Sequence, residues 1–484
     1  MQTESPVTAE VNASPLALPE QDARKAYIVS LGCAKNLVDT ERYVSNLHKQ
    51  GYELTSSPEQ ADLLFVNTCS FIDIAKEESV NTILELSENK RPGQSLVVAG
   101  CLVDRYREEL LEELPEVDLW TDLERFVDFP QQFATLSPLP VLDDYQPLRL
   151  APEESSTRSI PWAGFPRAAL TPRHTAYLKI SEGCDHTCSF CAIPSFKGKQ
   201  RSVPPEILLE EACALVSAGA MEITLIGQDT VAYGKDLSQD RSINLRFLLE
   251  RLSEIEGVQW LRVLYTYPTR LADELEWAYR NLPACIPYLD LPLQHLSDPV
   301  LVRMRRGTPY NSIRDHIGRL REAVPNLVVR STCIVGFPGE TEEDLAILQE
   351  RFSELEVDHL GVFRYSDEEG TRGFDLPDKV DPEVAESRYE WMTAWAASFC
   401  QVRGGLRVGQ EYEILVDRPA LPPTDLFPEI EPSGQWWQGR WWGQAPEIDG
   451  SVFFRSETAS AGRLVNVHLA SVSYPDYLGA VVEL

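Results

Sequence analysis

The sequence predicts a mixed α/β protein with three successive parts: a parallel α/β domain, an open (β/α)6 partial TIM barrel and a small C-terminal β-barrel. Short apolar runs alternate with amphipathic helical runs over residues 26–125 and again over 173–400. This alternation is typical of parallel sheets with crossover helices. After residue 405 the helical runs stop and short strand-like runs follow one another, as in small β-barrels. The 484 residues are enough for several domains.

The first α/β domain is assigned to residues 26–137. Its three apolar runs are AYIVSLGC, ADLLFVNTC and SLVVAGC, and each is followed by an amphipathic helical run. Residues 1–25 lack the basic start and apolar core of a secretory signal. We expect them to form a disordered tail.

A change of composition separates the first domain from the second. Residues 126–172 contain eight prolines and little periodicity, and we expect a Pro-rich linker at 138–172. Residues 173–403 carry six strand candidates: AYLKI, EITLIG, WLRVLYTY, IPYLDLPLQH, NLVVRSTCIVGF and LGVFRYS. Six units predict an open part-barrel, because eight would need a longer chain. Residues 404–484 favour a β-barrel of OB-like type.

The charge of the chain restricts its partners. The net charge is −31 and the pI is about 4.6. This balance argues against broad binding to a phosphate backbone, which depends on Lys and Arg, and is compatible with a basic partner or simply a well-solvated surface. No run approaches the roughly 18 apolar residues of a membrane helix, so we expect a cytoplasmic protein without a membrane partner.

The cysteines indicate metal binding or catalysis. Ten cysteines in a large acidic chain do not resemble a disulfide framework. Four stand alone in apolar segments and are expected in the core: Cys213, Cys285, Cys333 and Cys400. The other six form two groups, which we call the N-terminal trio (Cys33, Cys69 and Cys101) and the central trio (Cys184, Cys188 and Cys191).

The central trio lies in GCDHTCSFCAIP, with the spacing C-x3-C-x2-C. A buried helical face, a zinc site completed by His186 and a redox pair are the alternatives, and each leaves part of the pattern unexplained. An iron–sulfur cluster accounts for all three thiolates. Three ligands on a four-iron cube leave one iron open for another ligand. The motif follows the first strand of the part-barrel, where active-site loops lie.

The N-terminal trio follows a different rule. Cys33, Cys69 and Cys101 each end an apolar run of the first domain. Taken singly, each is better explained as a buried structural cysteine. However, carboxyl ends of parallel strands line a common crevice. We therefore expect the three thiols to converge and to hold a second open cluster.

The central motif, with Phe190 before its last cysteine, resembles the radical S-adenosylmethionine superfamily. The order of a three-cysteine domain, a radical domain and a β-barrel further resembles the methylthiotransferase family, whose barrel is a TRAM domain. The resemblance implies two [4Fe–4S] clusters on the six trio cysteines, with S-adenosylmethionine bound at the cluster of Cys184, Cys188 and Cys191. It also implies that one S-adenosylmethionine methylates sulfur and a second supplies a radical.

Two branches of that family are considered. SLGCAKNLVDTE and CSFCAIPSFKGKQRS resemble the RimO-type branch, which implies methylthiolation of an aspartate β-carbon in the twelfth small-subunit ribosomal protein. The alternative is a MiaB-like tRNA adenosine methylthiotransferase, which tends to have GCQMN and PYTRG at these places. A zinc-stabilised binding protein without enzymatic activity is the second alternative. The resemblance also implies an electron donor and a sulfur donor.

The C-terminal barrel supports a protein substrate. Residues 405–484 contain five Arg, no Lys and eleven Asp or Glu, a net charge of −6. A barrel that grips RNA should be basic and should present aromatic side chains to bases. We therefore expect the barrel to bind a basic ribosomal protein and do not favour direct RNA binding. Four tryptophans are either a stacking surface or ordinary packing: Trp436, Trp437, Trp441 and Trp442.

Other positions are less specific. Gln228 and Gln294 end predicted strands and are expected either to contact S-adenosylmethionine or substrate, or to cap turns. LPLQHLSDPVLVRMRRG and IVGFPGETEEDL resemble segments that line the cofactor cavity in this family. No general acid or base is assigned, because radical hydrogen abstraction does not require one.

Overall fold

The computed structural model describes residues 24–134, 136, 160–268 and 273–482. Most of the predicted tail and much of the predicted linker lie outside these residues. The first strand begins at Arg24, so the last two residues assigned to the tail belong to the sheet. In the described part of the linker, Trp162 and Phe165 are buried, with 1 % and 4 % of their surface exposed.

The N-terminal domain is a five-stranded parallel sheet in the order β2-β1-β3-β4-β5. The three predicted strands are β1, β3 and β4, whereas β2 and β5 span only three and two residues and give no periodic signal. The elements are β1 (Arg24–Ser30), α1 (Ala34–Lys49), β2 (Tyr52–Leu54), β3 (Leu63–Thr68), α2 (Asp73–Glu88), β4 (Ser95–Gly100), α3 (Cys101–Glu113), β5 (Leu119–Trp120) and α4 (Phe129–Ala134).

The central domain is an open six-stranded parallel sheet in the order β6-β9-β10-β11-β12-β13, which confirms all six predicted strands. Its elements are β6 (Thr175–Lys179), β7 (Ser181–Glu182), α5 (Ile193–Phe196), β8 (Arg201–Ser202), α6 (Pro205–Ser217), β9 (Glu222–Ile226), α7 (Leu245–Ser253), β10 (Trp260–Val263), α8 (Asp273–Asn281), β11 (Cys285–Asp290), α9 (Asp298–Arg303), α10 (Tyr310–Ala323), β12 (Val328–Val335), α11 (Glu342–Leu355), β13 (His359–Arg364) and α12 (Pro382–Gly405).

The C-terminal domain is a closed barrel in the order β14-β15-β16-β18-β17, which confirms the OB-like prediction. Its strands are β14 (Glu411–Ala420), β15 (Trp436–Trp441), β16 (Val452–Arg455), β17 (Leu464–Ser473) and β18 (Asp476–Val481). Tyr177 and Tyr288 of the part-barrel share a buried cluster with Ile414 and Trp441 of the barrel. The two domains therefore pack on a common core.

A buried ion pair shows that the C-terminal barrel packs at the amino end of the part-barrel strands. Arg440 contacts Glu222, the first residue of β9, at 2.7 Å, and both side chains are at most 4 % exposed. At about 3.3 Å per residue, the five residues of β9 place the barrel roughly 16 Å from the carboxyl ends of the strands. The barrel thus stands away from the loops that carry the central trio.

The isolated cysteines differ in one respect from expectation. Cys285, Cys333 and Cys400 are buried, as predicted, but Cys213 is exposed. Helix α6 buries Leu208 and Ala212, and one residue further along a helix turns the side chain about 100° away from that face. An apolar neighbourhood in sequence was therefore a wrong guide for Cys213. Across the described helices, none combines the length and apolarity needed to cross a membrane.

Candidate functional site

The central trio lies in a loop that is closed by a short hairpin. Strands β7 and β8 pair on either side of it, and the backbone N–H of Cys184 donates to the carbonyl of Gly198 at 3.1 Å. Gly183 has φ of +80°, and a Cβ there would lie 2.4 Å from the carbonyl oxygen of Lys199. Glycine is therefore required for the two ends of the loop to meet.

Two polar side chains approach the middle thiol. Nη1 of Arg306 donates to Sγ of Cys188 at 3.5 Å, and Oη of Tyr267 lies 3.6 Å from the same sulfur. The guanidinium carbon of Arg306 also lies 4.2 Å from the centroid of the Tyr267 ring. A thiolate at Cys188 would therefore be stabilised by a charged donor.

His186 is engaged in other contacts. Its Nε2 lies 2.7 Å from Oδ2 of Asp229, and its ring stacks on Tyr267 with a centroid distance of 3.6 Å. The zinc alternative needs this imidazole as the fourth ligand beside Cys184. The observed contacts orient it towards a carboxylate and an aromatic ring instead.

Two thiols of the central trio, Cys184 and Cys191, have a raised pKa. Burial, with smaller contributions from neighbouring negative charges, raises the pKa of Cys184 to about 11 and that of Cys191 to about 12. All three thiols are free of disulfides. A metal centre would hold such clustered thiols as thiolates, because metal binding displaces their protons.

The N-terminal trio occupies the carboxyl ends of three neighbouring strands. Cys33 immediately precedes α1, Cys69 follows β3, and Cys101 opens α3 directly after β4. Since β1, β3 and β4 are adjacent in the sheet, the trio lies along one edge, as the sequence predicts. Burial raises the pKa of Cys69 and Cys101, and the charge of Cys33 raises both further.

An asparagine network braces this edge. Nδ2 of Asn36 donates to the carbonyls of Leu31 at 3.0 Å and Thr68 at 2.8 Å, and Sγ of Cys101 lies 3.5 Å from Oδ1 of Asn36. Asn67 in turn donates to the carbonyl of Asn36 at 2.8 Å. Sequence reasoning did not single out Asn36, although a polar residue three positions after Cys33 at a buried helix start was an available signal.

Two glycines allow the strand ends to approach one another. A Cβ on Gly32 would lie 2.7 Å from Cβ of Cys69, and a Cβ on Gly100 would lie 2.5 Å from the carbonyl oxygen of Thr68. Both residues also have positive φ, of +88° and +101°. The convergence of the trio therefore depends on glycine immediately before Cys33 and Cys101.

A salt bridge joins the two trios. Nζ of Lys197, six residues after Cys191, lies 2.6 Å from Oδ2 of Asp104, three residues after Cys101, and both side chains are 10 % exposed. Burial lowers the pKa of Lys197, but the negative charges of Cys101, Glu182 and Asp104 outweigh it and raise that pKa well above its usual value. The segments that follow the two trios are therefore held together by a buried positive charge.

A second buried network lies beside the first. Nζ of Lys179 lies 2.8 Å from Asp39 on α1 and 2.6 Å from Glu182, the residue before Gly183. Gln228 donates to Glu182 at 2.7 Å. Gln228 thus lies next to the central loop, and its contact with S-adenosylmethionine remains a prediction.

The two predicted cavity segments also meet at the carboxyl ends of the strands. Gln294 has φ of +72° and accepts from the backbone N–H of Ile334 at 2.7 Å, which joins the segments by their backbones. His295 and Glu340, one from each segment, lie 3.4 Å apart. These contacts give Gln294 a role at a turn, while a ligand contact of its side chain stays a prediction.

The two cysteine trios have donor sets that suit iron–sulfur clusters better than a single metal ion. Within the described parts of the chain, no group of three or more His, Cys, Asp or Glu side chains forms a site for a single metal ion. In a four-iron cluster, by contrast, each thiolate binds its own iron. Two sets of three disulfide-free, partly or fully buried thiols with cationic neighbours have the donor chemistry for such clusters.

Comparison with known proteins covers all three domains. Family models match at residues 25–122 (Uncharacterized protein family UPF0004), 178–351 (Radical SAM superfamily) and 408–482 (TRAM domain). A protein of Geobacter sulfurreducens named ribosomal protein uS12 methylthiotransferase RimO is 40 % identical over 95 % of this chain and 99 % of its own length. The protein of the same name from Symbiobacterium thermophilum is 41 % identical, over 99 % of this chain and 95 % of its own.

Solved structures also align with this chain. The radical S-adenosylmethionine methyltransferase TsrM from Kitasatospora setae, with tryptophan and a cofactor analogue bound, aligns at a TM-score of 0.49 and 14 % identity. The alignment covers 70 % of this chain and 73 % of that protein.

Fold, trios and family matches together define an enzyme of the radical S-adenosylmethionine class, a methylthiotransferase that uses S-adenosylmethionine and [4Fe–4S] chemistry. The near full-length similarity is more specific than this class. The chain belongs to the RimO family of methylthiotransferases.

Proposed function

We propose that this enzyme methylthiolates the β-carbon of an aspartate in ribosomal protein uS12, with two [4Fe–4S] clusters. The observation that carries this proposal is the Lys197–Asp104 salt bridge, which joins the segments of the two trios. A radical source and a sulfur carrier must both reach the same carbon, and two cysteine sites joined in this way meet that requirement. The substrate is proposed from two relatives, 40 % and 41 % identical, that are named ribosomal protein uS12 methylthiotransferase.

The cysteines divide between two tasks in this proposal. Cys184, Cys188 and Cys191 would hold the cluster that binds S-adenosylmethionine, and the N-terminal trio would hold the cluster that carries sulfur. When bound, the first cluster and its S-adenosylmethionine supply a radical that abstracts hydrogen from an unactivated carbon. The protein supplies the setting: Arg306 donates towards Cys188 at 3.5 Å, and such hydrogen bonds tune a cluster's ligands.

The surface of the C-terminal barrel supports a basic protein as substrate. Its exposed charges are Glu411, Glu413, Asp425, Glu429, Glu431, Glu447 and Glu457 against Arg418, Arg455 and Arg463. Opposite charge steers partners together. Because the barrel packs at the far end of the strands from the trios, we propose that it docks uS12 and takes no part in the chemistry.

The tryptophans of the barrel do not favour RNA. Trp436, Trp437 and Trp441 are only 7 %, 6 % and 1 % exposed. Nε1 of Trp437 donates to the carbonyl of Ser456 at 3.0 Å, and Trp441 packs against Tyr412 with a centroid distance of 4.7 Å. Rings that are packed in this way cannot stack on bases. The packing interpretation therefore fits these three side chains better than a stacking surface.

The proposed reaction needs further partners. We propose that an electron donor and a sulfur donor supply the enzyme. Because the proposed substrate is a ribosomal protein, we also propose that the reaction occurs in the cytoplasm.

Incubation with candidate substrates tests the proposal. The anaerobically reconstituted enzyme would receive S-adenosylmethionine, a reductant and a sulfur source, together with uS12 and tRNA. Mass spectrometry should find one methylthio group on the uS12 aspartate and none on tRNA. Modification of tRNA alone would favour the MiaB-like alternative. Bound zinc without iron would favour the binding-protein alternative, whereas two four-iron clusters require about eight irons per chain.

A further inference from the structure

Lys35 lies beside the N-terminal trio, close to Cys33 in the sequence. It is the second residue of α1 and follows Cys33 by two positions. Its Nζ lies 3.5 Å from the centroid of the Tyr265 ring, just after the carboxyl end of β10. The lysine therefore crosses from the N-terminal domain to the part-barrel.

Two tyrosines place this ammonium between the two trios. Tyr265 and Tyr267 follow β10 and are two residues apart. Tyr265 contacts Lys35, whereas Tyr267 lies 3.6 Å from the sulfur of Cys188 in the central trio. A substrate carbon that both cluster sites serve must lie in the same region.

Lys35 differs from its neighbours in its charge pairing. Lys179 contacts Asp39 and Glu182, and Lys197 contacts Asp104, all within 3.0 Å. Among the residues that the structure describes, no carboxylate lies within salt-bridge distance of Lys35, whose contact is the Tyr265 ring. A carboxylate partner stabilises a partly buried cation. The neighbouring Lys179 and Lys197 each have such a partner, whereas Lys35 has none in the described part of the chain.

Glu182, the residue before the central motif, is already paired with other side chains. Glu182 itself is held by Lys179 at 2.6 Å and by Gln228 at 2.7 Å. Lys35 therefore presents a positive charge that the described carboxylates do not directly neutralise.

We propose that Lys35 binds the side-chain carboxylate of the substrate aspartate and so determines the specificity for that residue. This inference rests on the proposed function. The reacting β-carbon of an aspartate is bonded directly to its carboxylate. A single cation placed between the trios can therefore select the side chain and position the carbon to be modified. An uncharged or extended substrate side chain would leave Lys35 without this partner.

A binding experiment separates recognition from catalysis. Full-length reconstituted enzyme with S-adenosylmethionine and no reductant would be titrated with fluorescent peptides of the uS12 target segment. One peptide carries the aspartate and a second carries asparagine at that position. Lys35→Met keeps the unbranched side chain and removes the charge, and Lys35→Gln is a second neutral variant. Lys49→Met is the control, since Lys49 is an exposed lysine at the other end of the same helix.

Wild-type enzyme should prefer the aspartate peptide by about 10- to 100-fold, which corresponds to about 1.4 to 2.8 kcal/mol. Both neutral variants should lose that preference with the iron content unchanged, whereas Lys49→Met and Lys35→Arg should keep most of it. Retention of the full preference in both neutral variants would overturn the role of Lys35. If wild-type enzyme bound neither peptide, the proposed uS12 substrate would be overturned instead.

Discussion

Replacement of Lys197 by methionine tests the connection between the two trios. Methionine has a similar length and leaves Asp104 in place without its partner. The salt bridge is 2.6 Å long and each side chain is 10 % exposed. Loss of one partner from a buried pair costs about 3–5 kcal/mol, because the other charge is left without compensation.

The protonation of Asp104 sets where in that range the effect falls. Burial already raises the pKa of Asp104, and Lys197 is the main group that opposes this rise. Without Lys197 the carboxyl can take up a proton, which limits the penalty to the lower end, about 3 kcal/mol. This corresponds to about two decades in an equilibrium constant.

Hydrogen exchange with mass spectrometry measures this effect locally, which suits a protein of three domains. Peptides from α3 and α5 should lose about 100-fold of protection in Lys197→Met, while β14–β18 should not change. The double variant Lys197→Met/Asp104→Asn should recover most of the protection, because no buried charge remains unpaired. Unchanged protection in the single variant, or equal loss in the double variant, would refute the argument that this salt bridge joins the trios.

Further expected results concern the carboxyl ends of the N-terminal strands, the C-terminal barrel and the isolated cysteines. In Gly100→Ala the new Cβ would lie 2.5 Å from a backbone oxygen beside the N-terminal trio. The reconstituted protein should therefore lose one of its two proposed clusters, about half of its iron. Gly93 is the control: it also has a positive φ, of +90°, but a Cβ there would have nothing within 4 Å. Gly93→Ala should therefore keep its iron. Burial raises the pKa of Asp417, but Arg440 outweighs it and holds the pKa below the ordinary 3.8. This pair should therefore stabilise the barrel fully above about pH 4 and progressively less below it. Acid unfolding followed by tryptophan fluorescence should lose this part of its pH dependence in Asp417→Asn. Alkylation of folded, cluster-loaded enzyme should label the exposed Cys213 first, and peptide mapping would show whether a buried cysteine reacts instead.

The strand-and-helix alternation was sufficient to predict the parallel sheets. All six strands of the part-barrel and three strands of the N-terminal sheet lie in predicted apolar runs. β2 and β5 could not be predicted, because three and two residues do not establish a period. The same limit applies to the hairpin of β7 and β8, whose strands have two residues each.

Placement of the six trio cysteines was predictable because it depends on strand ends. The rule that carboxyl ends of parallel strands share one edge brought Cys33, Cys69 and Cys101 together without knowledge of contacts. In contrast, the contacts of Lys197 with Asp104 and of Lys35 with Tyr265 join residues 93 and 230 positions apart. No local pattern encodes such pairs, since they depend on how two domains pack.

The central claim is that the two trios perform different tasks on one substrate. Cleavage of S-adenosylmethionine and methylthio transfer to uS12 should be quantified together in Cys188→Ala and Cys69→Ala enzymes. We expect Cys188→Ala to abolish both reactions. We expect Cys69→Ala to retain cleavage but to form no methylthiolated aspartate. Methylthio transfer at the wild-type level by Cys69→Ala would contradict the account.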